Sequence, residues 1–419
     1  MSTEPAAHDL PLTVVGIGAS GWAGLSPQAR DVIAAAEILV GSERQLDLVP
    51  DTVPAERVPW PHPLRSALPG LLERHGKRRI CVLASGDPMA YGIGGTLARL
   101  VGPDRLHVLP HPSSVALACA RMGWASENTV VVSAVARPLD RLRRVLTPGQ
   151  RLLVLSEGAE TPAAVAELLR DSGFGASHMT VLADLDGPEE QCRDGRAETW
   201  EASQEHPLNI VAVECATTGG PAYSTQAGLP DDAYATDGQL TKREIRALTL
   251  ARLAPLPGQT LWDIGAGSGS VAIEWMRAHP TCRAIALERD PRRAERITTN
   301  AHRLGVPDLR VHTGNAPVEL AKLAEVEQPD AIFVGGGASD DEVLAACWAA
   351  LPTGGRMVVN AVTLAAEARV VDWQQHAGGE LTRLTVQRAQ AIGSSDRAVS
   401  EHAVWRPALP ITQWIVERV

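Results

Sequence analysis

Strands alternating with helices through both halves of the chain predict an α/β protein of two domains in series. Three observations carry that prediction. One is the alternation itself. The second is a length of 419 residues, more than one ordinary core organises. The third is a loss of periodicity from Glu214 to Asp237, where TTGGPAYSTQAGLPDD has linker composition. The expected boundaries are 9–215 for the first domain, 216–235 for a linker and 236–419 for the second domain. A long strand near Leu381–Arg388 and a last one at Thr412–Glu417 follow a parallel succession, so the second domain reads as a doubly wound sheet with an antiparallel edge.

In chain order, Leu12–Ile17 is the first strand, ended by glycines at 16, 18 and 21. Ser26 then caps a helix with Pro27 at its first position, and apolar residues recur at Val32, Ile33, Ala36 and Ile38. Ile80–Ala84 is a buried strand closed by Ser85-Gly86-Asp87-Pro88, and Leu106–Leu109 another, with a helix from about Ser113. Thr129–Ser133, Arg151–Leu155, Thr180–Leu182 and Asn209–Val213 are further strands, and Thr161–Asp171 is a helix. After the linker, Thr241 and Glu244 have the spacing of a capping box. Strands at Thr260–Asp263, Ala284–Glu288, Arg310–His312, Ala331–Val334 and Arg356–Asn360 then alternate with helices from Ser270 and over Pro291–Leu304, Asp340–Leu351 and Leu364–His376.

Composition narrows the function. A net charge of −10 excludes a general nucleic-acid binder, which needs a basic face to displace counterions, but leaves room for an anionic small substrate in a locally basic cleft. The six cysteines include no C-x-x-C pair and read as reduced core thiols. His107 and His111 straddle a strand end and lack a third ligand, so no metal is expected. The N-terminus lacks a signal-peptide pattern, and no apolar run is long enough to span a bilayer. The expectation is a cytoplasmic protein without membrane contact.

The strongest local motif is LWDIGAGSGSVAIEW. Asp263 ends a strand, Gly265, Gly267 and Gly269 make the turn, and Ser270 opens a helix. Glycines are needed where backbone must approach a ligand with no side chain between, and this turn stands where open α/β sheets bind ligands. Glu288 ends the next strand, where an acidic group meets ribose hydroxyls. A dinucleotide site wants G-x-G-x-x-G and tolerates no acidic residue beside its pyrophosphate. Here Asp263 precedes the glycines, which suits a cofactor bearing an amino group. The reading therefore favours a sulfonium nucleoside over NAD.

TDGQLTKREIRAL, WDIGAGSGSVAIEW, LERDPRR, GNAP, IFVGGG and NAVTLAAEA follow one another from about Asp231 onward. Together they resemble the C-terminal half of the precorrin-6Y C(5,15)-methyltransferases (decarboxylating) of the cobalamin pathway. The resemblance implies a Rossmann-like class I methyltransferase fold that binds S-adenosyl-L-methionine through Gly265, Ala266, Gly267, Ser268, Gly269, Glu288, Asn315 and Ala316. Thr241 is implied to face the methionine end; Asp263, ahead of the glycines, is the further cofactor-binding candidate read from the motif itself. Family members often have Asp where this chain has Asn315; an amide still hydrogen-bonds adenine.

In the first half, VVGIGASGW contains a literal G-x-G-x-x-G, yet the helix signal lies several residues later, so the phosphate-on-helix geometry fails. VVGIGASGWAGLSPQARDVIAAAEILVGSERQL, LASGDPMAYGIGGTL, HPSSVALACARMGW, VVVSAVAR and NIVAVE together resemble a tetrapyrrole methylase domain of two small α/β lobes. That resemblance implies a second S-adenosyl-L-methionine site on Gly86, Asp87, Tyr91, Gly92, Ser113 and Ser114, with Gly18 bordering the tetrapyrrole cleft. Relatives carry S-x-H-G-R where this chain has Ser133 to Arg137, which leaves only Arg137 of that segment as a candidate.

The combined expectation is methylation of precorrin-6Y at two meso carbons with loss of one acetate carboxyl, with one cofactor site per domain. Lys242, Arg243 and Arg246, beside the second glycine loop, are candidates to bind substrate carboxylates. No catalytic acid or base is apparent, as methyl transfer depends chiefly on alignment. Relatives of both halves assemble, which implies a homo-oligomer. Two alternatives stay open: an NAD-dependent oxidoreductase using either glycine loop, and a non-catalytic tetrapyrrole carrier.

Overall fold

Runs of aliphatic and β-branched residues become strands: β1 (Leu12–Ile17), β2 (Ile38–Gly41), β3 (Glu56–Pro59), β4 (Ile80–Ser85) and β5 (Leu106–Leu109). The computed structural model describes residues 11–201, 205–217, 219–391 and 403–419. These five strands form a parallel sheet in the order β3-β2-β4-β1-β5. Val14, Val15, Ile17, Val82 and Leu83 have no exposed surface, as parallel strands covered on both faces require. Ser26 caps helix Pro27–Ala35 through the Ala29 N–H, as expected. Ile38, counted above with the helical stripe, instead begins β2: the helix stops at Ala35 and the chain is already extended at Ala36.

The next strands are β6 (Thr129–Ser133), β7 (Arg151–Leu155), β8 (His178–Ala183), β9 (Gln191–Arg196) and β10 (Asn209–Glu214). Their sheet runs β6-β7-β10-β8-β9, parallel only between β6 and β7. The arginine-rich stretch after Arg137 is not an α-helix; Leu139–Val145 is a 3-10 turn.

In the second half, β11 (Thr260–Ile264), β12 (Arg283–Glu288), β13 (Arg310–Thr313), β14 (Ala331–Val334) and β15 (Arg356–Ala361) are parallel. The tail adds β16 (Glu380–Leu384), β17 (Gln387–Ala391), β18 (Ala403–Pro407) and β19 (Ile411–Glu417). The seven-stranded order is β13-β12-β11-β14-β15-β19-β16, with β19 antiparallel to both neighbours. This is the doubly wound sheet with an antiparallel edge. The expected single strand over 381–388 is two, because the chain leaves the sheet after Leu384 and pairs β17 with β18 as a separate ribbon. With Phe174 and Phe333 the only phenylalanines, tryptophans supply the large core groups of this half: Trp262, Trp275 and Trp414 are fully buried.

By contacts the chain divides into one unit of residues 1–139 and 148–221 and another of 140–147 and 222–419. The segment read as linker is docked, not free. Ala216 accepts a hydrogen bond from the Ser177 hydroxyl, and Thr217 donates to the Gly173 carbonyl, both within the first unit. Leu229, Ala233 and Tyr234 are buried in the second unit's core. Composition misleads here because polar backbone in an irregular segment can be satisfied by side chains instead of a ladder. Glu274 provides this: its carboxylate, 2% exposed, accepts the Gly228 and Leu229 N–H groups, the Tyr234 hydroxyl and Arg246 Nε.

Five cysteines are buried, while Cys192 is exposed and departs from the core-thiol reading because it lies on the outer strand β9. Among the described residues no helix is long and apolar enough to cross a membrane, and no His, Cys, Asp or Glu cluster is placed to hold a metal.

Removing one partner of a buried ion pair leaves the other charged and unpaired, at a cost of about 3–5 kcal/mol. Glu274→Ala is therefore expected to lower the second unit's unfolding free energy by that amount, read from denaturant unfolding followed by intrinsic tryptophan fluorescence. A shift below 1 kcal/mol, the scale of an exposed pair, would refute the buried role.

Candidate functional site

Two glycine-lined clefts stand out, one in each unit. In the second, the strand order reverses at β11, whose neighbours are β12 and β14, and such a switch point opens a crevice beyond the strand ends. The loop after β11 fills that position. Gly265, Gly267 and Gly269 all have left-handed φ, at 67°, 59° and 74°. A Cβ on Gly265 would stand 2.6 Å from the Gly336 backbone, and one on Gly267 would stand 3.0 Å from the Gln239 carbonyl. At these two positions no larger residue fits.

The cleft, of about 830 Å³, is lined by Gly265, Ala266, Gly267, Thr241 and Lys242, all anticipated. Its other walls include Gln239, Phe333, Gly335, Asn360, Arg388 and Arg406, which sequence reasoning did not select. Asn360 had a signal, since it ends β15 in the NAVT run; its amide bonds Thr249 Oγ1 at 3.1 Å and accepts from Gln413 Nε2 at 2.9 Å. Arg388 and Arg406 had none: Arg388 closes the stretch read as a single strand, and Arg406 lies on β18, which the sequence reading did not assign.

Several anticipated residues lie behind the loop. Ser268 donates to the Gln239 carbonyl at 2.7 Å, fastening segment 236–239 against the turn. Gly269 starts helix Ser270–Ala278 and packs against Ile297. Glu288, 4% exposed, accepts the Gly267 N–H at 2.8 Å and the Asp290 N–H at 3.1 Å. Gly314 donates to the Glu288 carbonyl at 3.1 Å, which sets Asn315 and Ala316 beside that strand end at the start of helix Ala316–Val326.

Four expectations need correction. Asp263 does not face the cleft: it has no exposed surface, and its Oδ2 accepts the Ala272 N–H at 3.0 Å, clamping the helix start. Burial, against that hydrogen bond, pushes its carboxyl up to about 7, so the charge argument against a pyrophosphate loses its force. Arg246 cannot meet a substrate either, since it is fully buried, saturated by Glu274, Asp231 and the Leu229 and Thr241 carbonyls, and stacked on Tyr234. Arg243 is exposed but outside the cleft lining. The expected capping box is absent as well. Lys242 holds the N-cap position, and Glu244 pairs instead with Arg388, which keeps its carboxyl below the usual range.

The first cleft, about 380 Å³, is lined by Gly18, Gly86, Tyr91, Gly92 and Ser114 from the anticipated set. The glycines of this half make close backbone approaches: a Cβ on Gly16 would stand 2.0 Å from the Gly86 carbonyl. Gly86 itself has φ 57°, and Tyr91, at φ 59°, shows the same left-handed backbone in a residue that disfavours it. Asp87, Ser113 and Arg137 are not in the lining. Asp87 Oδ1 accepts the Met89 N–H at 2.8 Å within the turn, Ser113 caps helix Ser114–Met122 through the Ala116 N–H, and Arg137 stands over the Tyr91 ring at 5.9 Å. Arg44 was missed; it lines the cleft and donates to Ser85 Oγ at 2.9 Å, the hydroxyl that also accepts from Gln45.

A Sinorhizobium protein named precorrin-6Y C(5,15)-methyltransferase [decarboxylating] is 45% identical over 414 residues, 99% of this chain and 98% of its own length. The chain belongs to the precorrin-6Y C(5,15)-methyltransferase (decarboxylating) family. A relative of the same name from Mycobacterium tuberculosis is 44% identical over 97% of this chain and 100% of its own. The family description "Tetrapyrrole (Corrin/Porphyrin) Methylases" matches residues 11–200, and "Precorrin methyltransferase domain" matches 232–418. Among solved structures, the C-terminal domain of precorrin-6Y C5,15-methyltransferase from Rhodobacter capsulatus is 40% identical, covering 47% of this chain and 100% of that one at a TM-score of 0.42. Each glycine loop of this family member falls within a different one of the two matched regions.

The raised Asp263 carboxyl gives a signed prediction. A carboxyl whose folded value lies above its unfolded one holds a proton in the native state that the unfolded chain has released, so stability falls as pH rises from about 4 to about 7 and is level above. Asp263→Asn removes this titration while keeping an acceptor for the Ala272 N–H. The difference in thermal midpoint between variant and parent should grow in the variant's favour from pH 5 to pH 7. A pH-independent difference would contradict the assignment.

Proposed function

We propose that this chain methylates precorrin-6Y at C-5 and C-15 and removes the carboxyl of one acetate arm, using one S-adenosylmethionine site in each unit. The observation that carries the reading is the glycine bend at the sheet's switch point, open on the side where an 830 Å³ cleft lies. Family membership over nearly the whole chain supports both the substrate class and the pairing of two methylation sites.

The residues fit the methyl donor. At Gly265, Gly267 and Gly335 an added Cβ would meet backbone or the Phe333 ring, so the cradle is bare backbone through which a nucleoside can be approached closely. We assign Gly265, Ala266 and Gly267 to the cradle wall, Thr241 and Gln239 to the opposite wall, and Glu288 with Asn315 and Ala316 to the nucleoside end. When bound, S-adenosylmethionine supplies an electrophilic methyl group. The chain's own contribution is alignment and exclusion of water, worth roughly 7–11 kcal/mol where two reactants are held in register. In the first unit we assign the equivalent work to Gly86, Tyr91, Gly92 and Ser114, with Gly18 at the macrocycle's edge. Lys242 is assigned to a substrate carboxylate. Decarboxylation requires the acetate to align its breaking bond with the conjugated ring, which serves as the electron sink. We assign that step, with one methylation, to the second unit, and the other methylation to the first. Assembly as a homo-oligomer belongs to the same reading and is tested by light scattering.

Incubation of the full chain with precorrin-6Y and S-adenosylmethionine is expected to yield a product with two added methyl groups and one carbon dioxide lost, read by mass spectrometry. Glu288→Ala should lower kcat/KM for one methylation and for the decarboxylation at least about tenfold, 1.4 kcal/mol on the activation scale, with the other methylation intact. Equal loss of both methylations would overturn the division between units, and a wild-type chain that adds no methyl group would overturn the reading.

A further inference from the structure

The ribbon of β17 and β18 has a feature that the fold does not explain. Its register sets Arg388 directly opposite Arg406, and both line the second cleft. Like charges facing each other across two strands repel, and an isolated two-stranded ribbon has little packing to offset that. Arg388 is compensated, since it pairs with Glu244 and Asp231. The Arg406 side chain is not: no side-chain hydrogen bond or ion pair joins it to another described residue. Val386, Arg388 and Gln390 alternate into the cleft lining. On β18, Arg406 and Pro407 line it, whereas Trp405 is 70% exposed and outside it. Lys242, the N-cap of helix Arg243–Leu253, is a third cation of the lining and has no ion pair with a described residue. Among the described residues the only acidic side chain in the lining is Glu244, already taken by Arg388. A chain of net charge −10 thus presents a cleft rim whose uncompensated charge is positive.

We infer that Arg406, seconded by Arg388 and Lys242, forms a carboxylate-binding rim that orients a polycarboxylate macrocycle over the glycine cradle, with Arg406 as the specificity-determining residue. The inference rests on the tetrapyrrole substrate proposed above. Its chemistry is that of a guanidinium fork, which takes a carboxylate through two parallel N–H donors, something an amide does not reproduce.

The test uses the full chain and uroporphyrin, an octacarboxylate tetrapyrrole, with binding followed by the shift of its main absorption band. Arg406→Gln should weaken at least one phase of the isotherm about tenfold, and Arg406→Lys, which restores the charge without the fork, should recover only part of that loss. Arg292→Gln, at an exposed position outside the cleft lining, should leave it unchanged, as a control for bulk charge. Affinity for S-adenosylhomocysteine should stay the same in all three, which shows an intact cradle. The rim is overturned if Arg406→Gln binds uroporphyrin like the parent, if Arg292→Gln weakens it equally, or if the parent does not bind it. If the parent binds uroporphyrin through Arg406 yet adds no methyl group to precorrin-6Y, the rim stands and the proposed reaction falls.

Discussion

A carboxylate shut away from water must be met by donors, and the second unit is arranged around that demand at Glu274. Four donors converge on it from three separate stretches: the backbone at 228–229, the Tyr234 phenol and the Arg246 guanidinium. Arg246 in turn holds the carbonyls of Leu229 and Thr241. One buried ion pair thereby ties helix Ser270–Ala278, which begins at the glycine bend, to helix Arg243–Leu253, whose first turn forms the far wall of the cleft. Such pairs contribute little net stability over an apolar substitute. Their value lies in geometry, because only one arrangement satisfies every group.

Around the glycine bend the same logic recurs on a smaller scale. Asp263 clamps the start of the helix, Glu288 takes the Gly267 N–H, and Ser268 and Asn300 draw segment 235–239 inward. Asp237, held well below the usual carboxylate range by Arg293 and Arg296, secures the outer end of that segment. The acidic and polar residues of the motif thus shape the cradle from behind, and the surface offered to a ligand is mostly backbone.

Most of the framework was legible in the sequence because burial patterns and caps are local. β1, β5, β6, β7 and β14 need only a run of aliphatic residues, and Ser26-Pro27 marks a helix start without reference to anything distant. Helix Leu64–His75 was missed because Pro69 interrupts its pattern, and helix Gly94–Val101 because it opens with two glycines. The site was half legible. Glycines in a bend advertise themselves, since their reason is conformational. The roles of Asp263 and Arg246 were misread because the side a charged side chain faces depends on tertiary packing: both motifs mark the correct place and say nothing of orientation. Arg44 and Arg406 come from elements distant in sequence from the glycine loops, and no spacing rule connects them.

The position of β19 bears on the order in which the molecule is made. β16 precedes it in the chain yet touches the sheet only through it. Residues 380–384 therefore have no edge to join until 411–417 have been synthesised and inserted beside β15. On a ribosome, the parallel strands can assemble while that stretch waits, its hydrogen-bonding groups open to any passing strand. The β17–β18 ribbon lies within the same interval, so the two arginines at the cleft rim belong to a segment whose flanking strands join the sheet in this reversed order.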